Sequence, residues 1–346
     1  MEIVAHNIDR LISVEIESGA SPIRGIITAL YEASRKTVGD RPLTLVAAES
    51  IIKRVSDGDN VIFLTGYGCL PMYPHGETDG PPGSVSLARA VNLGLGAVPV
   101  FVAGERDIPT IQACMRAAGI HVEDYETTQS LKTAGTIVPL PYDEKEARRA
   151  AQDIMEKYKP KAVIAVEATG PNKKGILHSR RGYDFGPMMS KVYQVFEEAN
   201  KRGVLTIGCI DNGNEVGSGT IEETVRKINP FGDKCCCPVG AGIACAIKSD
   251  ICIPAGISNW AAYGVAAMLA LFLKDKNILH STDMERLMLE ACARTGCSDA
   301  HYARPLTSVD GKSLETQQSV VTLLHEIVRR GLTAGTSGRT AAFMIR

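Results

Sequence analysis

Two short stretches of this 346-residue chain gather carboxylates among glycines. The first runs from Glu77 through Asp79 to Gly83, and the second runs from Asp211 through Asn214 and Glu215 to Gly219. Carboxyl groups crowded into one crevice push each other's pKa values apart, which is what general acid and base catalysis needs. Asp211, Asn214 and Glu215 are also the oxygen donors preferred by a hard divalent cation such as Mg²⁺ or Mn²⁺. Gly213, Gly217 and Gly219 open backbone shapes closed to other residues, so something can approach this loop closely. They do not fit GxGxxG, no GK[ST] follows, and the carboxylates would repel a phosphate that lacks a cation.

The first run ends in Pro81 and Pro82, which leave the N–H groups of Gly83 and Ser84 at a helix start, where they could hold a carboxylate. The plainer alternative is that Asp79 caps that helix and Glu77 is solvated. A third candidate carboxyl, Glu167, ends the apolar run that begins at Val163. Downstream of it, Lys173, Arg180 and Arg181 supply positive charge, and arginine's planar fork suits a carboxylate; a solvated basic turn is the alternative. Ser258 and Asn259 offer neutral hydrogen-bonding groups, unless Ser258 is the N-cap of the apolar helix behind it. His75 is the histidine closest to this chemistry. The consecutive Cys235, Cys236 and Cys237 read as alternating packing positions on a strand.

The elements that must position these residues are strands alternating with helices. Strands are expected at Val61–Thr65, Val98–Ala103, Thr136–Pro139, Ala162–Glu167 and Val204–Ile210. Helices are expected at Gly83–Leu95, Ile108–Gly119, Glu144–Tyr158, Gly186–Lys201 and Thr220–Ile228. This β-α-β-α order implies an α/β fold, a Rossmann-like three-layer sandwich with a mostly parallel sheet and an N-terminal helical extension. Residues 1–59 read as helices docked on a main domain of residues 60–346, with one run starting at Ser21 and Pro22. Beyond Pro230 the expectations are a strand pair within Cys236–Ile247, helices at Asn259–Leu273, Met284–Arg294 and Leu314–Arg330, and a loop or turn at Gly331–Gly338.

Composition narrows the function. A formal net charge of -1 leaves no broad positive field for a nucleic acid. Trp260–Leu273, the longest apolar run, is too short to span a bilayer, and acidic residues interrupt Met1–Ala20 where a signal peptide would be apolar. A cytoplasmic enzyme with its ten cysteines reduced is the expectation.

Four ordered motifs are similar to the C-terminal domain of the D-glutamate cyclase family: ETDGPPG from Glu77, EATGPN from Glu167 with RRGYDFG from Arg180, DNGNEVGSG from Asp211, and AGISNWAAYG from Ala255. The similarity extends to VDG at Val309–Gly311. It implies an ATP-independent closure of D-glutamate to 5-oxo-D-proline with loss of water, a reaction that requires no cofactor. The partner is then a small acidic amino acid. Mitochondrial members carry a further N-terminal domain, so a separate N-terminal-domain partner or a homo-oligomer is also expected. Their central loop has glycine where this chain has Asn212. On this reading Glu77 and Asp79 face Asp211 and Glu215, one carboxyl acting as acid and another as base. Gly83, Ser84, Glu167, Arg180, Arg181, Asn214, Ser258 and Asn259 hold the substrate, and a divalent metal could sit at Asp211, Asn214 and Glu215. A metal-dependent lyase or hydrolase acting on another small carboxylate, or a ligand-binding subunit, are the competing readings.

Overall fold

The apolar runs are buried along their whole length, as in Val98–Ala103 and Ala162–Val166, which only a sheet covered on both faces can satisfy. In the computed structural model, which describes residues 1–16 and 23–333, three helices come first: α1 (Glu2–Ile12), α2 (Ile27–Thr37) and α3 (Leu43–Arg54). The alternating region follows as β1 (Asn60–Leu64), α4 (Pro81–Leu95), β2 (Val98–Ala103), α5 (Ile108–Ala117), β3 (His121–Val122), α6 (Tyr125–Ser130), β4 (Ala134–Pro139), α7 (Glu144–Tyr158) and β5 (Ala162–Val166). The chain continues through α8 (Tyr193–Lys201), β6 (Leu205–Ile210), α9 (Glu222–Ile228), β7 (Ile251–Pro254), α10 (Ser258–Phe272), α11 (Thr282–Arg294) and α12 (Leu314–Thr333).

The strands form one sheet in the order β3-β4-β2-β1-β5-β6-β7, and every neighbouring pair is parallel. The expected three-layer α/β sandwich is therefore present, with its sheet wholly parallel among the described residues. Strand alternation sorts the core into two layers. Val61 and Phe63 pack with α10 residues such as Trp260, and Ile62 and Leu64 pack with Ala147 of α7 and Val195 of α8.

Local chemistry explains the clearest helices. In α7 the Asp143 side chain accepts the N–H groups of Lys145 and Glu146, and Ala147, Ala151, Ile154, Met155 and Tyr158 form the buried stripe. α4 opens on Pro81 and Pro82 and closes on left-handed Gly96. The N-terminal helices are tied by buried Asp9 of α1. Its carboxylate accepts the Tyr31 hydroxyl of α2 at 2.9 Å and the Leu43 N–H at 2.6 Å, where α3 starts. Ala5, Ile8 and Ile12 of α1 join the core that holds β1 and α10.

Several expectations shift. Ser21 and Pro22, where a helical run is expected to start, lie outside the described residues; residues 23–26 are not helical, and α2 starts at Ile27. Gly186–Met188 is a separate short 3-10 turn, and α8 starts only at Tyr193. No strand pair forms within Cys236–Ile247. Its backbone bonds to three other loops instead, with the N–H groups of Ile243, Cys245 and Ala246 donating to Phe231, Gly213 and Pro171, and Gly240 and Gly242 adopt positive φ. The sheet edge is supplied by β7, four residues that the periodicity does not reveal. Of Gly331–Gly338, residues 331–333 complete α12 and the rest lie outside the described residues.

α4 and α10 cross closely at Gly83. A β-carbon there would lie 2.7 Å from Asn259 Cα and 2.6 Å from its side-chain oxygen. Gly83→Ala is expected to cost about 3 kcal/mol, the upper range for overpacking, seen as a lower denaturant midpoint with an unchanged m value.

Candidate active site

β2 and β5 flank β1 on opposite sides, so the strand order reverses at the carboxyl ends of β1 and β5, where open α/β sheets place their ligands. A cavity of about 190 Å³ lies there, lined by Tyr67, Tyr73 and Glu77 after β1, Glu167 after β5, Arg180, Arg181 and Phe185 beyond it, Asn212 and Asn214 after β6, and His301 and Asp310 before α12.

The wall behind this cavity is a pair of helix N-termini that cap each other. The Asp79 carboxylate accepts the N–H groups of Ser258 at 3.0 Å and Asn259 at 2.9 Å, the first residues of α10. In return the Asn259 side-chain oxygen accepts the N–H groups of Gly80 at 2.9 Å and Gly83 at 2.7 Å, and its amide donates to the Thr78 carbonyl. The Gly83 N–H is thus committed to Asn259 and the Ser84 N–H to the Gly80 carbonyl, so neither is available to a substrate carboxylate. Asn259 is a structural clamp. Ser258 is no N-cap; its hydroxyl donates to Glu167 Oε2 at 2.6 Å and orients that carboxyl. Asp79 does cap a helix, but it is α10, far along the chain, rather than α4.

Glu167 leaves β5 with a φ of 48°, in the left-handed region that is costly for a side chain of this kind. Asp310 is held likewise at a φ of 51°. Such geometry persists only where surrounding contacts enforce it. The nearly buried Glu77, Asp79, Glu167 and Asp211 crowd together, and burial raises the pKa of each. For Glu77 the next cause is Asp310; for Glu167 it is Asp211, and for Asp211 it is Glu215, the three being held well above the usual carboxylate range. Asp79 is raised to about 8 by burial and then by Asp310, although the two α10 N–H groups pull it down. Burial and mutual repulsion thus favour the protonated forms of these carboxyls.

Glu215 is directed into its own loop, where its oxygens accept the N–H groups of Asn212 at 3.0 Å and Gly213 at 2.6 Å. Asn212 has no positive φ, so no glycine is needed there. The Asn214 amide donates to the His178 carbonyl at 3.0 Å; the residue lines the cavity, and its side-chain oxygen is buried with no hydrogen-bond partner among the described residues. Carboxylate oxygens of Asp79, Glu167 and Asp211 lie within 4.8 Å of one another, a convergence that could hold a hard cation and that shares Asp211 with the expected set Asp211, Asn214 and Glu215. A Mg²⁺-like ion fits that chemistry.

Arg180 and Arg181 reach the cavity, and Arg180 lies 3.4 Å from Asp310. Lys173 instead pairs with Glu222 at 3.0 Å. His75 is exposed and lies outside the cavity lining. Asp310, Tyr67, Tyr73 and His301 are the residues that sequence reasoning passes over. Asp310 had one signal, an Asp-Gly pair in a matching motif. Its loop is ordered by buried Asp299, whose carboxylate accepts the N–H groups of His301, Tyr302 and Gly311 and the Ser308 hydroxyl.

A family model described as D-glutamate cyclase-like, C-terminal, matches residues 32–325, which include every cavity residue named above. The chain belongs to this family. Among its relatives, human mitochondrial D-glutamate cyclase is 27% identical over 288 residues, covering 80% of this chain and 42% of the human protein. The chain thus spans less than half the length of that relative. The family match begins inside α2, ahead of the residue 59/60 boundary suggested by the change in sequence pattern. Among the described residues no helix is long and apolar enough to cross a membrane.

The cluster makes a pH prediction. Unfolded, Asp79 loses its proton near 3.8; folded, it keeps it to about 8. The folded state binds the proton more tightly, so this group's stabilisation is full below the unfolded value and is lost as pH rises towards about 8. Thermal melts should show the stability of the wild type relative to Asp79→Asn falling as pH rises from about 4 to about 8. A parallel trend in the two proteins would contradict this. Excess Mg²⁺, if held by the trio, should raise the wild-type melting temperature most at high pH.

Proposed function

We propose that this chain closes a small acidic amino acid, D-glutamate first among candidates, to its five-membered lactam with loss of water and without ATP. The observation that carries the reading is a small cavity in which Arg180 and Arg181 share the walls with Glu77 and Glu167, carboxyls whose pKa burial raises well above the usual range. Family membership and the name of the human relative support D-glutamate as the first candidate substrate.

Glutamate must fold so that its α-nitrogen meets the γ-carbon. On this reading Arg180 and Arg181 hold the α-carboxylate by charge-assisted hydrogen bonds. The partnerless Asn214 side-chain oxygen accepts an N–H of the α-ammonium. The protonated carboxyls of Glu77 and Glu167 sit beside the γ-carboxylate, where ionised ones would repel it. Fixing the folded conformer replaces a flexible encounter with a held one.

The bond that forms joins the α-nitrogen to the γ-carbon, and the bond that breaks is a γ-carbon–oxygen bond. Two protons leave the ammonium nitrogen, one stays on the lactam, and the departing oxygen takes up two and leaves as water. The protein carboxyls carry these protons and are restored at the end. Glu167 is the assigned acid, since Ser258 fixes one of its oxygens. Glu77, on the same cavity, relays protons from nitrogen. Burial first, and then the neighbouring Asp211, favours the protonated form of Glu167.

A second reading has one observation in its favour, the convergence of Asp79, Glu167 and Asp211. In it the same cavity performs metal-assisted lyase or hydrolase chemistry on a small carboxylate. Incubation of the purified chain with D-glutamate, with and without EDTA, separates the two by following 5-oxoproline. The cyclase reading expects product under both conditions and a drop in kcat of about 10²- to 10⁴-fold in Glu167→Gln with the fold intact. Activity lost to EDTA and restored by Mg²⁺ or Mn²⁺ favours the metal reading. No 5-oxoproline under any of these conditions refutes cyclisation by this chain.

A further inference from the structure

The cysteine run lies outside the cavity and is not on a strand. Its turn places Cys235 Sγ 3.0 Å from Cys237 Sγ, and Cys237 Sγ 3.3 Å from Nε2 of His178. All three ligand atoms fall within 4.8 Å of one another. Cys236, between them, is exposed and turned the other way, with its thiol donating to the Arg181 carbonyl at 3.3 Å. Two thiols and an imidazole are soft donors, the set that binds zinc and not Mg²⁺ or Ca²⁺.

We propose that His178, Cys235 and Cys237 bind a zinc ion that clasps the arginine loop of the cavity to the cysteine turn. Zinc bonds of about 2.3 Å to sulfur and about 2.0 Å to nitrogen place tetrahedral ligand atoms roughly 3.5 to 3.8 Å apart, so the two short contacts at Cys237 would open by less than about 1 Å. Binding turns two thiols into thiolates and releases two protons to solvent. The fourth position is left to water.

The loop's construction shows what the clasp would hold. His178 and Asp184 pair as the base of a tight turn, with the Ser179 N–H donating to the Tyr183 carbonyl, and this turn carries Arg180 and Arg181 to the cavity. Its contact with the cysteine turn is narrow. The Cys236 N–H donates to the Gly182 carbonyl at 2.9 Å, and a β-carbon on Gly182 would come within 2.9 Å of that nitrogen. The His178 carbonyl accepts the Asn214 amide, so the same residue touches the proposed substrate pocket through its backbone and the proposed metal through its ring. Arg181 and Tyr183 of the turn are exposed, while His178 at its base is buried. A metal bond across its base would restrict the arginines before substrate arrives.

The test uses the full chain, reduced and stripped with chelator, then titrated with Zn²⁺ against a chromophoric competitor. The expected result is about one tightly held zinc per chain, weakened on the order of 100-fold or more in Cys235→Ser, Cys237→Ser and His178→Asn, and unchanged in Cys236→Ser. On the wild type, zinc should protect Cys235 and Cys237 from alkylation by iodoacetamide while Cys236 stays reactive, which decides the matter even if a variant fails to fold. A reduced chain that takes up no zinc, or zinc that protects all three thiols or none, overturns the proposal. These readouts need no enzymatic activity and stand apart from the cyclase reading. If that reading holds, removing zinc should raise KM for the acidic substrate more than it lowers kcat.

Discussion

Asp79 and Asn259 each complete the start of the other's helix, and the site is built on that exchange. Four backbone N–H groups at two helix N-termini are satisfied by two side chains far apart in sequence. Each such cap is worth about 1 kcal/mol, and a carboxylate at a buried helix start gains somewhat more from the helix dipole. The exchange fixes α4 against α10 closely enough that only glycine fits at position 83. It also sets the height of Ser258, which in turn orients Glu167. The carboxyl chemistry at the sheet end thus inherits its geometry from a packing contact.

The same arrangement explains why acids can be gathered in one dry place. A buried ionised carboxylate is costly unless paired, and this cluster has few cations near it. Three outcomes are open to such a group: it keeps its proton, it accepts backbone N–H groups, or it binds a metal. Glu167 and Glu77 follow the first course, and Glu215 the second by closing its own loop. Asp79 combines the first two, and with Glu167 and Asp211 it offers the third. A site of this kind is less stable than a hydrophobic one, and the left-handed backbone at Glu167 and Asp310 is a further cost. Conformational cost concentrated in the cavity wall is what a functional site, more than a structural one, is expected to show.

The parallel sheet was legible because its strands are continuous apolar runs and its helices carry stripes and caps of local origin, as in α7. Glu167 and Asn214 follow closely on the ends of β5 and β6, and Glu77, Arg180 and Arg181 stand out by residue type within long loops; all five line the cavity. The failures share one cause. The cysteine turn has the composition of a strand, but its backbone bonds go to other loops. Asn259 and Gly83 have the look of ligand-binding groups, but they are paired with one another across the chain. Glu215 and Asp211 are indistinguishable by type, yet one is absorbed by its own loop.

By itself the sequence determined the alternation of strands and helices, the acidic and glycine-rich character of the strand ends, and the motifs that place the chain in its family. These are local properties, fixed by side-chain period, turn chemistry and residue type. Only the tertiary structure decided which carboxyls face the cavity and which face a helix end. It also brought His178 to Cys235 and Cys237, and Asp310 to Glu77 and Arg180. Those outcomes depend on where loops from distant parts of the chain meet, and on which backbone groups find partners there. No local pattern encodes that.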